Sequence, residues 1–256
     1  MGFEFSDLPL AWHPMLPELS FAANSISLLM PYVEPYVVKS VRAALPELDE
    51  PLRTRTDGFL KQELGHHVQH RRFNDVLAEQ CPGIRRLERW MRRLYGWLGR
   101  SRSQRFSVAF AAGSEAIAFG IARWVDANVA ALFDGADPTA TRLYLWHLAE
   151  EVEHKTVAFE VFEATDGSRL RYAWATIITL SLLIGFTFAG NFVQLRSTRR
   201  LHSPVAWFRL FRWSISLAFT VLPTAAASCL RGHDPSTMAD PVYLTQWLRG
   251  LDADAA

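Results

Sequence analysis

His147-Leu148-Ala149-Glu150-Glu151-Val152-Glu153-His154 lies inside a run from Thr139 to Thr165 that carries neither glycine nor proline. Apolar residues recur through this run at helical spacing, which predicts a helix. On a helix, positions three, four and seven apart share a face. His147, Glu150, Glu151 and His154 therefore form one stripe of two imidazoles and two carboxylates. A solvated face normally sets Lys or Arg against Glu at four-residue spacing. Here the nearby cation is Lys155, about 100° off the stripe by helix geometry. The charge that such a stripe needs must come from elsewhere, and a metal ion is the candidate.

A single helix cannot complete a metal site, so a second stripe is expected. In Asp57–Gln80, DGFLKQELGHHVQHRRFNDVLAEQ, residues Glu63, His66, His67 and His70 again fall at i, i+3, i+4 and i+7. One helix thus reads Glu-x-x-His-x-x-x-His and the other His-x-x-x-Glu-x-x-His. Five of the eight histidines sit on these two short segments. His13, His202 and His233 stand alone in loop-like contexts and are set aside.

Two further acids lie in apolar settings. Glu34 sits between Pro31 and Pro35 in a helical pattern running from Leu19 to Leu45, where the prolines predict a kink or a broken start. Glu115 lies among Ala111, Ala112, Ile117, Ala118 and Phe119, in a stretch from Ser103 to Phe133 that is apolar nearly all round, as a buried helix is. A charge there costs several kcal/mol unless it is paired or bound to metal. Four helices then contribute Glu34, Glu63 with His66, Glu115, and Glu151 with His154. Facing helices of di-iron and di-manganese carboxylate bundles present this set to their core. Bridging carboxylates would neutralise two divalent ions and the imidazoles would set geometry. The fold class expected is all-α: a four-helix bundle with a dinuclear metal site over residues 1–166, its first site-bearing helix starting near Asp57. An apolar helical region over 167–256 would form a hairpin that is membrane-associated or caps the bundle.

Composition narrows the function classes. A chain of 256 residues with a formal net charge of +1 has room for a sizeable core and no field suited to nucleic acid. Cys81 and Cys229 match neither a disulfide framework nor a zinc spacing. No basic segment followed by an apolar run opens the chain, so no secretory signal is expected. Residues 84–99, IRRLERWMRRLYGWLG, predict a basic amphipathic helix with Leu87, Trp90, Met91, Leu94 and Trp97 or Leu98 inward and Arg85, Arg86, Arg89, Arg92 and Arg93 outward. It reads either as a solvated face or as a membrane-surface helix. Tyr172 to Leu195 is 24 residues without a formal charge, and Trp213 to Leu230 is 18. A span needs about 20. The basic loop between them disfavours a two-span hairpin beneath a cytosolic domain. Shallow insertion into one leaflet, or packing on the bundle, is expected instead, placing the protein in the cytoplasm at the inner face of the membrane.

Two resemblances attach to these motifs. Trp146 to Phe159 and Glu63 to His70 resemble segments of a bacterial family of predicted metal-dependent hydrolases, a label that implies metal dependence without fixing a reaction. The ligand order also resembles that of the ferritin-like di-iron arylamine (p-aminobenzoate) N-oxygenases. That resemblance implies Glu34, Glu63, His66, Glu115, His147, Glu151 and His154 as ligands of two iron ions (Fe/Mn or Mn being variants), with His70 and Glu150 as supporting or extra ligands. Pro35 directly after Glu34 and the apolar C-terminal third depart from that pattern. The main expectation is a di-iron oxygenase or oxidase acting on a hydrophobic small molecule, with dioxygen and an electron donor as partners. A hydrolase using the same two metals is the alternative, and a non-enzymatic membrane-attached metal-binding bundle the second. A membrane surface and a second copy of the chain (a homodimer) complete the partners considered; nucleic acid is not among them.

Overall fold

The computed structural model describes residues 2–255, with side chains through residue 250. Among the described residues it is all-helical, without a strand. The helices are α1 (Pro17–Ser27), α2 (Met30–Ala44), α3 (Leu52–Gln80), α4 (Gly83–Ser101), α5 (Gln104–Asp126), the short α6 (Val129–Phe133), α7 (Pro138–Thr165), α8 (Arg169–Ser197), α9 (Pro204–Ser228) and α10 (Val242–Ala255).

Local chemistry sets most of these bounds. Asp137 caps α7, accepting from the backbone N–H of Thr139 and Ala140 at 2.9 Å each, with Pro138 in the first turn. Ser103 caps α5 through the N–H of Phe106. The expected start of α3 at Asp57 is corrected to Leu52. Glu50 accepts from the N–H of Thr54, so a first-turn donor is satisfied five residues earlier, and Asp57 pairs with Lys61 instead. The prolines also act differently from expectation. The chain breaks at Leu28 and Leu29, and Pro31 occupies the first turn of α2, where a missing N–H costs nothing. Pro35 is carried inside α2 directly after Glu34.

Helix α5 is the centre of the molecule, packed against α2, α7, α8 and α9. Its small residues allow the approach. A Cβ on Gly113 would lie 2.6 Å from Thr176 Oγ1 of α8, and one on Gly120 would lie 3.2 Å from the Cα of Val221 in α9. The C-terminal helices are therefore seated directly on α5, and the change of composition at residue 167 brings no separate core. Tyr172, Ala175 and Leu195 of α8 and Leu210 of α9 share one buried cluster with Phe59, Phe73 and Phe162. Buried polar groups fix α8 to the N-terminal arm. Asn24 donates to Gln194 Oε1 (2.9 Å) and accepts from Trp12 Nε1 (2.8 Å), while Gln194 donates to the carbonyl of Phe21 (2.9 Å). The outer faces of α8 and α9 remain exposed.

Helix α4 buries Ile84, Leu87, Met91, Tyr95 and Leu98. Trp90, expected on that inner side, is 57% exposed, and Trp97 is 46% exposed. Both stand among the arginines, while Glu88 takes an inner position, paired with Arg71 of α3 (3.0 Å) and with Arg85 of its own helix (3.1 Å).

Candidate metal centre

Four helices converge on one buried cluster: α2 brings Glu34, α3 brings Glu63 and His66, α5 brings Glu115, and α7 brings His147, Glu151 and His154. Each of the seven is at least nine-tenths buried. Glu63, His66, Glu151 and His154 each place a ligand atom within 4.8 Å of the others, and Glu34, His66 and His147 form a second such group. Glu115 belongs to neither group, yet its Oε2 lies 3.8 Å from His154 Nδ1. The two groups share His66, so the cluster is one continuous pocket of donors rather than two separate sites.

The orientation of each imidazole is set by its outer nitrogen. His66 Nε2 meets Glu150 Oε2 at 2.9 Å, and His154 Nε2 meets Gln62 Oε1 at 3.1 Å. Both partners are acceptors, so each Nε2 carries a proton and each Nδ1 turns inward. His66 Nδ1 faces Glu151 (3.6 Å) and Glu63 (3.8 Å), and His154 Nδ1 faces Glu63 (2.9 Å) and Glu151 (3.4 Å). His147 has the opposite register. Its Nε2 points inward, 2.7 Å from Glu151 and 3.7 Å from Glu34, while its Nδ1 meets His70 Nε2 at 2.7 Å. His70 Nδ1 in turn meets Ser27 Oγ (2.8 Å), which donates to Asn74 Oδ1 (2.7 Å). One assignment satisfies the chain: His147 donates to His70, His70 to Ser27, and Ser27 to Asn74. His70 thereby spends both nitrogens outside the cluster. Glu150 does likewise, accepting from Trp146 Nε1 (2.8 Å) and from His66. Such outer partners fix the tautomer and raise the basicity of a metal-binding imidazole.

Apart from His147 Nε2, which meets Glu151 Oε1 at 2.7 Å, most inward atoms lack hydrogen-bond partners. Both oxygens of Glu34, one oxygen each of Glu63, Glu115 and Glu151, and Nδ1 of His66 and His154 are buried with no hydrogen bond. An unpaired buried polar atom costs about 1–3 kcal/mol. Among the described residues, every ion-pair partner of these four carboxylates is a histidine. Lys155 turns away to Asp240 and the ring of Phe119, and Arg71 is used by Tyr32 and Glu88. Burial, then the neighbouring carboxylates, push Glu34 and Glu115 well above the usual carboxylate range. Burial also raises Glu63, and it holds His66 and His70 well below the usual imidazole value. Burial opposes the charged forms of Glu151 and His154 as well, but their mutual attraction wins. Glu151 is held well below its ordinary range and His154 is raised to about 10.

These donors fit a divalent metal ion. Orphaned oxygens and inward imidazole nitrogens converge on one spot, and the carboxylates supply negative charge that a bound cation would balance. Sequence reasoning missed Gln62, Ser27 and Asn74. Only the Trp146–Glu150 spacing was readable in advance, because the others are contacts between helices.

Alongside the cluster lies a cavity of about 210 Å³. Glu34, Glu63, Glu115, His147 and Glu151 form one end, and the walls are overwhelmingly apolar, among them Val37, Ile117, Ile121 and Leu148.

The model of a family described as predicted metal-dependent hydrolase matches residues 1–239. The chain belongs to this family. A buried Glu/His cluster able to hold metal is what the family's description calls for, and the match covers both the motif-bearing helices and the apolar C-terminal third. No curated protein and no solved structure matches the chain.

Proposed function

We propose that this member of the family is a dinuclear, iron-dependent enzyme that uses dioxygen to oxidise a hydrophobic small molecule held in the cavity. In this reading α2, α3, α5 and α7 act as a ferritin-like four-helix bundle. Glu34, Glu63, His66, Glu115, His147, Glu151 and His154 hold the metals, while His70 and Glu150 orient two of the imidazoles. A metal pair held there would supply redox chemistry toward dioxygen, or in a hydrolase an acidified water.

The observation that carries the reading is the pairing of an all-Glu/His donor set with an apolar cavity. The apolar walls would favour an apolar substrate over water beside the reacting centre. Glu150, Gln62 and His70 hold the three imidazole rings in fixed orientations. The chain from His147 through His70 and Ser27 to Asn74 is a defined path along which a proton at His147 Nδ1 can be held. A monooxygenation would take one dioxygen, two electrons and two protons per turnover and release one water. The electrons would come from an external one-electron carrier.

A second reading, hydrolysis at the same two-metal site, is favoured by the family's description. The two are separated by one experiment. Ferrous-loaded protein with dithionite-reduced ferredoxin as carrier should consume dioxygen in a way that long-chain alkyl or aryl compounds stimulate. Turnover of p-nitrophenyl acyl esters under strict anaerobiosis, with no dioxygen uptake in the first assay, would overturn oxygenation in favour of hydrolysis.

A further inference from the structure

The cavity does not end at the metal cluster. Away from the donor cluster it is also walled by Thr179, Leu183 and Thr187 of α8 and by Trp213, Ser214 and Leu217 of α9. Ser214 is exposed, and Leu183, Thr187, Trp213 and Leu217 are half-buried, so this wall is also the outer surface of the molecule. The gap between the two helices is bounded along its length. Phe188 meets Trp207 on one side (ring centroids 5.8 Å apart), and Val221 and Ala225, with Leu180 packed onto their cluster, close the other. Between these contacts lies the mouth.

The surface around the mouth is unusual for water. Only 22% of the apolar stretch of α8 and 17% of that of α9 is buried, although both helices are long and apolar enough to cross a membrane. Ile184 and Phe188 of α8, and Phe211, Ile215 and Phe219 of α9, stand exposed beside the gap. Contiguous apolar surface of this kind marks an interaction site. Its setting identifies the partner. Helix α4 lies beside α8, with Gly83 against Val193 at one end and Arg102 sharing a groove with Leu170 and Trp174 at the other. The exposed face of α4 alternates Arg86, Arg89, Arg92 and Arg93 with Trp90 and Trp97. Arginines interleaved with tryptophans next to an apolar face match the headgroup and acyl layers of an anionic bilayer. A protein partner would not need this layering.

We propose that the cavity takes a single hydrocarbon chain directly from a lipid bilayer. The chain passes between α8 and α9, with the outer faces of those helices sunk into one leaflet and α4 lying at its headgroups. The proposal rests on reading the buried cluster as the reacting centre and names its substrate class: an acyl or alkyl chain dissolved in membrane, its reacting carbon carried inward to Glu115 and His147.

The test needs no turnover. Metal-loaded full-length protein is mixed with vesicles of phosphatidylcholine and phosphatidylglycerol containing stearic acid with a chain-terminal diazirine, irradiated, and mapped by mass spectrometry. Labels are expected on deep wall residues such as Val37, Ile117 and Leu148. Ser214→Trp, and separately Leu183→Trp, should plug the mouth and cut deep labelling roughly tenfold while vesicle flotation persists. Ile184→Asp with Phe219→Asp should abolish both flotation and deep labelling. Circular dichroism and metal content identify any variant that fails to fold, and the exposed Ser214 position is the one least exposed to that risk. Labels confined to the outer faces of α8 and α9 would overturn the proposal. So would equal deep labelling by free stearic acid without vesicles, or a full-length chain that ignores vesicles and buries these faces in a dimer by light scattering. A failed dioxygen assay with intact deep labelling would instead overturn the proposed chemistry alone.

Discussion

Replacing Glu115 by Gln separates a metal donor from a satisfied core acid, because the two roles predict opposite signs. The substitution keeps the side chain's shape and removes its charge. Glu115 is 4% exposed, one of its oxygens has no hydrogen bond, and burial together with Glu151 and Glu63 already disfavours its ionised form. In the metal-free chain, Glu115→Gln should therefore cost little, within ~1 kcal/mol, and relief of carboxylate crowding can make it stabilising. With metal the balance changes. A ligand present at 100 times its Kd stabilises the fold by ~2.7 kcal/mol, and a chain of this size shifts its Tm by ~2–4 °C per kcal/mol. Each bound ion at that concentration is thus worth roughly 5–11 °C. Differential scanning fluorimetry across a ferrous titration under argon should show a two-ion rise for the parent and half of it or less for Glu115→Gln, from a metal-free Tm no more than ~4 °C below the parent's. Equal metal-induced shifts in both proteins would refute the assignment of Glu115 to the site. A metal-free Tm lowered by more than ~3 kcal/mol equivalent would show that it serves the fold instead.

His154, raised to about 10, is protonated in the metal-free chain at pH 7 and must lose its inward proton to bind metal. Calorimetry in buffers of different ionisation enthalpy should therefore record proton release on metal binding at pH 7, with affinity rising as pH rises toward 10. The sign for stability is opposite: this raised pKa supports the metal-free fold below about 6.5, and that support is lost as pH climbs through about 10. Proton uptake on metal binding would contradict both statements. His70→Ala should leave His147 Nδ1 without its 2.7 Å partner and weaken one of two ions by about 10–100-fold without displacing the other. Competition with a chelator measures this, and loss of both ions or of neither would argue against the relay.

Much of the site could be read from periodicity. The stripes on α3 and α7 are within-helix spacings, and a rule that holds inside one helix needs no tertiary information. Glu115 was legible for a different reason, as an acid in an Ala- and Phe-rich surrounding that has no surface face. The outer partners of the imidazoles were not legible, since Gln62 to His154 and Ser27 to His70 join helices whose relative rotation is set by packing. The same limit explains Trp90 and Trp97. Their hydrophobicity placed them inward, whereas α4 turns Glu88 inward to pair with Arg71 of α3 and leaves both tryptophans exposed. It also explains α8 and α9, where composition offered insertion or packing as rivals. Small residues at Gly113 and Gly120 let one face dock on α5 while the other stays exposed, so packing does not use up their apolar surface.

The most direct test of the account is the metal content of the full-length protein after anaerobic loading with ferrous iron and desalting, measured by inductively coupled plasma mass spectrometry. The seven-residue cluster predicts two iron ions per chain, falling to one or none in Glu115→Gln and to none when Glu63 or Glu151 is replaced by Ala. A single zinc per chain, or no retained metal, would contradict it.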